Sequence, residues 1–216
     1  MMLRQTISIL LIASVMILFA GCTPKPIEMM DMNTRLIAEV DRSLDDYLEA
    51  MGDKALEQLL ELDSIHYGAF TEVGAEEMLV QFKVLDVPHA AGLDRTVVLI
   101  CDAATLEVKH QKTFMADRVT IHLLNGLDER LEVLYIGSVT YQGFTAYGIE
   151  RFDLTRGGWT NVAVSDVAFG ERDAFFFADD VLHVFELTYE DYEPVYSLRA
   201  TLFWDSTSRV FKSTPN

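Results

Sequence analysis

Cysteine is nearly absent: two residues, Cys22 and Cys101, in a chain of 216 exclude a disulfide-stapled scaffold. The 5 prolines and 12 glycines follow no period, which excludes collagen-like and low-complexity classes. Basic side chains are scarce. Lys and Arg number 17 against 34 Asp and Glu, a formal net charge of -17, so the surface repels phosphate backbones and nucleic-acid binding loses its main electrostatic term. Also missing are an HExxH helix, a GxSxG elbow, a glycine-rich phosphate loop and a dinucleotide fingerprint, since the pair Gly157-Gly158 is a plain turn. No cofactor, metal or catalytic residue is therefore assigned. What remains is 50% hydrophobic and 24% charged, the composition of a folded domain.

One apolar run stands out. Arg4 precedes a stretch from Ile7 to Ala20, broken only by two serines and followed by Gly21-Cys22. At about fourteen residues it is shorter than the roughly 20 needed to span hydrocarbon, and no second run follows, so it is expected to be a signal peptide over 1–21. The end of this segment, Leu18-Phe19-Ala20-Gly21-Cys22, resembles a bacterial lipobox at Ala20, Gly21 and Cys22, with Phe19 where Leu is usual. The resemblance implies that Cys22 is lipidated and becomes the mature N-terminus. The protein would then face outside the cytoplasm as a membrane-anchored lipoprotein of the bacterial cell envelope. Cys101 would be left without a partner for an internal disulfide.

Thr23-Pro24-Lys25-Pro26 favours extended chain, so 22–32 is expected to be a tether. Charge then divides unevenly: Lys25 to Glu77 carries 14 acidic and 4 basic residues, Met78 to Asn216 20 and 12. Within the acidic part, Leu36, Ile37, Val40, Leu44, Tyr47, Leu48 and Met51 recur at three- and four-residue spacing, the stripe of an amphipathic helix. Asn33 or Thr34 can cap its start and Gly52 its end, and Asp53 opens a second short stretch through Ala55, Leu56, Leu59 and Leu60. A helix or helical hairpin is expected over 33–63, covering an edge of the sheets that follow.

From Glu77 on, about eleven short runs rich in Val, Ile, Phe, Tyr and Thr alternate with Gly, Asn and Asp turns, the pattern of antiparallel β structure over 64–216. The runs repeat. Asp102, Asp153 and Asp205 each follow an apolar residue and precede a turn with Thr or Ser, at separations of 51 and 52 residues. Upstream at matching offset lie Met78 to Leu85, Leu131 to Gly137 and Leu182 to Thr188. An Asp carboxylate accepts the backbone amide two residues on and closes a tight turn, so the recurrence is structural. The spacing predicts three four-stranded meanders, propeller-like or a sandwich, with the three aspartates in equivalent turns between third and fourth strands.

Asn125-Gly126-Leu127-Asp128 followed by Leu131-Glu132-Val133-Leu134-Tyr135-Ile136-Gly137 resembles repeats of the FG-GAP kind. That family implies calcium in an acidic loop before the strand, here Asn125, Asp128 and Glu129, or Asp179-Asp180. These offer too few acidic ligands, and the metal is not carried over. Three units are also fewer than close a propeller ring.

Among residues that carry chemistry, Cys101 lies in Thr96-Val97-Val98-Leu99-Ile100-Cys101, apolar on both faces, and is expected to be a buried, inert thiol. His110 and His122 would face each other if Met115-Ala116-Asp117 were a hairpin loop. His89 falls in a turn. Two aromatic groups remain: Tyr141, Phe144 and Tyr147 in a glycine-rich turn, and Tyr189, Tyr192 and Tyr196 around an acidic loop. Clusters of amphipathic rings at sheet ends stack on sugars or grip peptides. Tyr141, Phe144 and Tyr147 are chosen as the ligand contact. The expectation is an anchored binding protein whose partner is an envelope protein or a glycan; the alternatives are an assembly lipoprotein without a small ligand and an envelope hydrolase.

Overall fold

The computed structural model describes residues 36, 60–85, 95–153, 158–162, 164 and 167–213. The signal segment with Cys22, the tether, the helical stretch apart from a buried Leu36, and the turn with His89 lie outside the described residues. Apart from Leu36, which is helical, and a 3-10 turn at Leu127–Glu129, the described chain is strand, turn and loop. Sheet A contains β1 (Leu60–Gly68), β2 (Glu77–Val84), β3 (Thr96–Asp102) and β4 (Val108–Phe114); sheet B contains β5 (Arg118–Asn125), β6 (Leu131–Tyr141), β7 (Phe144–Asp153) and β8 (Gly158–Asn161); sheet C contains β9 (Asp173–Ala178), β10 (Val181–Glu190), β11 (Glu193–Asp205) and β12 (Val210–Lys212). All neighbouring pairs within the sheets are antiparallel. Each sheet is a meander in chain order. The boundary of the helical segment needs correcting: Leu60 to Asp63, placed by their leucine spacing at its end, open β1, where Leu60 pairs with Val84 and Leu62 with Phe82.

The repeat in the aspartates is a repeat in the fold. Asp102, Asp153 and Asp205 end β3, β7 and β11, the third strand of each sheet. Asp102 Oδ1 accepts the amides of Ala104 at 3.0 Å and Thr105 at 2.8 Å, and Asp205 Oδ1 accepts those of Thr207 at 3.0 Å and Ser208 at 3.3 Å. Four residues after the aspartate the chain turns left-handed, at Leu106 (φ 65°) and Arg209 (φ 55°), and each of these amides donates back to the aspartate carbonyl. At the corresponding place in sheet B the sequence has Gly157, which lies outside the described residues.

The sheets stack through their apolar faces. Phe70, Leu79, Val98, Ile100 and Phe114 of the sheet A region pack on Val133, Tyr135 and Phe152 of sheet B, with Trp159 against them. Leu134 and Ile136, on the other face of β6, meet Phe175, Leu182, Val184, Leu202 and Phe211 of sheet C. Strands β3 and β6 are therefore apolar at consecutive positions because both of their faces are covered. Two-residue turns at Gln142-Gly143, Asp179-Asp180 and Asp191-Tyr192, all with positive φ, close the β6–β7, β9–β10 and β10–β11 hairpins in the geometry that matches strand twist.

The hairpin expected at Met115-Ala116-Asp117 is not formed. Strand β4 pairs with β3 and β5 pairs with β6, so these three residues carry the chain from sheet A to sheet B. Asp117 fixes the crossing: its amide donates to the Ser138 carbonyl at 2.8 Å, and its carboxylate accepts Arg95 and the Thr140 amide.

Candidate functional site

Side chains on β5 alternate: Val119, Ile121 and Leu123 face the core between sheets A and B, which leaves Arg118, Thr120 and His122 on the opposite face. The register then places Arg118 beside Ser138 on β6, and Ser138 beside Tyr147 on β7, a row crossing three strands. Phe175, Phe176 and Phe177 of β9 stand opposite. Together with Thr120, His122, Ile136, Gly137 and Ala178 these groups enclose a cleft of about 360 Å³ between sheets B and C.

Its wall is aromatic. The Tyr147 ring lies 5.9 Å from that of Phe176, and its hydroxyl is 3.2 Å from the hydroxyl of Tyr196 on β11. Phe176 also meets Tyr196 at 5.7 Å and Phe185 at 5.4 Å, both edge to face. Burial, then the hydrogen bond with Tyr196, pushes the Tyr147 phenol well above its usual range, so its hydroxyl stays protonated. His122 rests against Phe177 at 4.9 Å. Burial, with the neighbouring charge of His66 on β1, holds it below the usual histidine value, and the ring is neutral at pH 7.

A second cleft, of about 440 Å³, lies farther along the same joint between Phe144, Thr145, Glu171, Arg172, Leu187, Thr188 and Tyr189. Phe144 and Tyr189 pack edge to face at 4.9 Å, and the Thr145 amide donates to the Tyr189 hydroxyl.

The two aromatic groups separated in sequence are thus one surface. Phe144 joins Tyr189, and Tyr147 joins Tyr196. Phe144 lines the second cleft and Tyr147 the first, whereas Tyr141, at 58% exposure, lines neither. No family model, curated protein or solved structure matches this chain. The site is accordingly read from its own geometry.

His110 and His122 are not opposed. His110 packs on Phe152 at 5.0 Å, in the core between sheets A and B, while His122 looks into the cleft between B and C. Cys101 is fully buried in β3. Among the described residues no group of three or more His, Cys, Asp or Glu side chains is placed to hold a metal, and no helix is long and apolar enough to cross a membrane. Sequence reasoning missed Arg118, Thr120 and Phe176. The alternation Arg118, Thr120, His122 was a signal for the first two, but the partner strand that makes it a cleft follows some fifty residues later.

Proposed function

We propose that this is a lipid-anchored envelope protein that binds a glycan at the joint between sheets B and C, without catalysis. The observation that carries the reading is the pair of ring-lined clefts, with Tyr147 on one and Phe144 on the other. Flat aromatic faces beside hydroxyl and amide groups are what a sugar ring requires, because its C–H face stacks while its hydroxyls exchange hydrogen bonds. Exposure supports binding over a purely structural role: Phe144 is 54% exposed and Phe176 44%, an arrangement that costs solvation unless something covers the rings.

A protein partner is the second reading, favoured by Leu198, 59% exposed, and Tyr196, 39% exposed, on β11. A glycan array and recovery of co-purified envelope proteins, both with the wild type and a Phe144→Ala/Tyr147→Ala variant, separate the two. Glycan signal lost in a variant that still melts cooperatively supports the proposal; signal confined to proteins transfers the site to the second reading. Anchoring through Cys22 is tested by fatty-acid labelling, which Cys22→Ser should abolish. Equal labelling of both forms removes the anchor.

A further inference from the structure

The first cleft has a charge character opposite to that of the chain. Although acidic residues outnumber basic ones two to one, no Asp or Glu is among the described residues lining it, and its only formal charge there is Arg118. Among the described residues of this joint, Arg151 and Arg209 share Glu132 and Asp153, and Arg199 holds Asp173. Arg118 makes no ion pair with any described residue. It is exposed at the rim, at the head of the row formed with Ser138 and Tyr147.

We infer that the first cleft takes a carboxylate-bearing sugar unit, a hexuronic acid residue of a glycan, with its carboxylate on the Arg118 guanidinium and a ring face against Phe176 and Tyr147. The guanidinium is planar and presents two parallel N–H groups, which match a carboxylate and not a hydroxyl. Ser138 and Thr120, on the same face, supply hydroxyls within the cleft for the sugar's own. A volume of about 360 Å³ suits one or two sugar rings and excludes a folded domain or a helix. The absence of lining carboxylates removes the repulsion that the rest of this surface would offer an anion.

This inference rests on the glycan reading above, and the test separates their failures. The full chain in detergent is titrated calorimetrically with methyl glucuronide, methyl galacturonide and methyl mannuronide, and with the neutral methyl glucoside, galactoside and mannoside; an N-acetyl dipeptide with a free carboxylate is a further probe. At least one uronide is expected to bind tenfold or more tighter than its neutral counterpart. Arg118→Gln should bring the two together without changing the melting temperature, because Arg118 is exposed and holds no described partner. Equal binding of acid and neutral sugars, unaffected by Arg118→Gln, overturns the carboxylate assignment and leaves the glycan reading standing. Tighter binding of the dipeptide than of every uronide overturns the sugar. Binding of none of the sugars, with a silent glycan array, removes both.

Discussion

Arg209, in the turn between β11 and β12 of sheet C, donates through Nη2 to Oδ1 of Asp153 in sheet B at 2.8 Å. Its Nε reaches Glu132, and Arg151 bridges the same two carboxylates from within sheet B, with Nη2 2.9 Å from Asp153. Among the described residues two cations thus face two anions. Glu132, Arg151 and Asp153 are all buried, and the Trp204 ring covers the Arg151 guanidinium at 5.4 Å. The hydrophobic contact between sheets B and C is non-directional; this cluster adds a fixed register to it.

Removing Arg209 leaves one buried negative charge in surplus among the described residues. Arg209→Met is expected to cost about 3 kcal/mol. Adding Asp153→Asn restores the balance of charge, so the double variant should be more stable than the sum of the single effects by at least ~1 kcal/mol. Urea unfolding of the four proteins measures this. Additive effects would show that the cluster does not act as a unit.

The aspartate turns should behave alike. In Asp102→Ala and Asp205→Ala the amides that the carboxylate holds turn back to water, and the urea midpoint should fall in both; Asn, whose side-chain oxygen accepts the same amides, should retain more stability than Ala at each site. Asp205 also receives Ser208 Oγ at 2.6 Å and the Lys212 ammonium, which drive its carboxyl well below the usual range. A larger loss at position 205 than at 102 is therefore expected. The opposite ranking would sink the account.

Acid should weaken sheet A through Glu77. Burial acts to raise its carboxyl, but hydrogen bonds from Lys109 at 2.7 Å, from the Thr71 hydroxyl and amide and from the Phe70 amide prevail, leaving it below the ordinary 4.5. Between the folded value and 4.5 the unfolded chain binds more protons, so stability rises with pH there. The contribution is complete above about 4.5 and is lost as pH falls through the folded value. Glu77→Gln should flatten the acid limb of a stability–pH curve and lower stability at pH 7. An unchanged limb would assign acid sensitivity elsewhere.

Tyr192 occupies the second place of a two-residue hairpin turn at φ 68°, where a bulky side chain is strained, and is 88% exposed. Tyr192→Gly removes the strain at some cost in chain entropy, and a net gain of about 0.5 kcal/mol is expected. Differential scanning calorimetry checks it. A loss of stability would mean that the ring makes a contact worth more than the strain.

Legibility in the sequence followed the range of the interaction. The period could be read because, at Asp102 and Asp205, the aspartate and the amides it holds lie within three residues, and from Glu77 on the described residues form eleven strands, as the alternation implies. Met115-Ala116-Asp117 has the length of a hairpin loop, and what makes it a crossing, Asp117 held by Arg95 and Thr140, lies more than twenty residues away on either side. Leucine spacing around residue 60 fits a helix and a buried strand equally well until Phe82 and Val84 are known to lie opposite. The candidate site was half visible. Phe144 and Tyr147 stand out in the sequence as rings in a glycine-rich turn, but the contacts of this turn with Tyr189, from Thr145, and with Tyr196, from Tyr147, span 44 and 49 residues and exist only through the stacking of sheets B and C.

Strict chain order within each sheet gives biosynthesis a direction. The four strands of sheet A can complete their ladder before residue 118 has been polymerised, since every partner is already made. Until β6 and β7 deliver Val133, Tyr135 and Phe152, however, Leu79, Val98, Ile100 and Phe114 form a bare apolar plane, and sheet B in turn offers Leu134 and Ile136 to a sheet C not yet synthesised. A nascent chain grows by laying each sheet on the one before it, and a pause near residue 117 or near 165 exposes a sticky surface of known composition to chaperones or to other nascent chains.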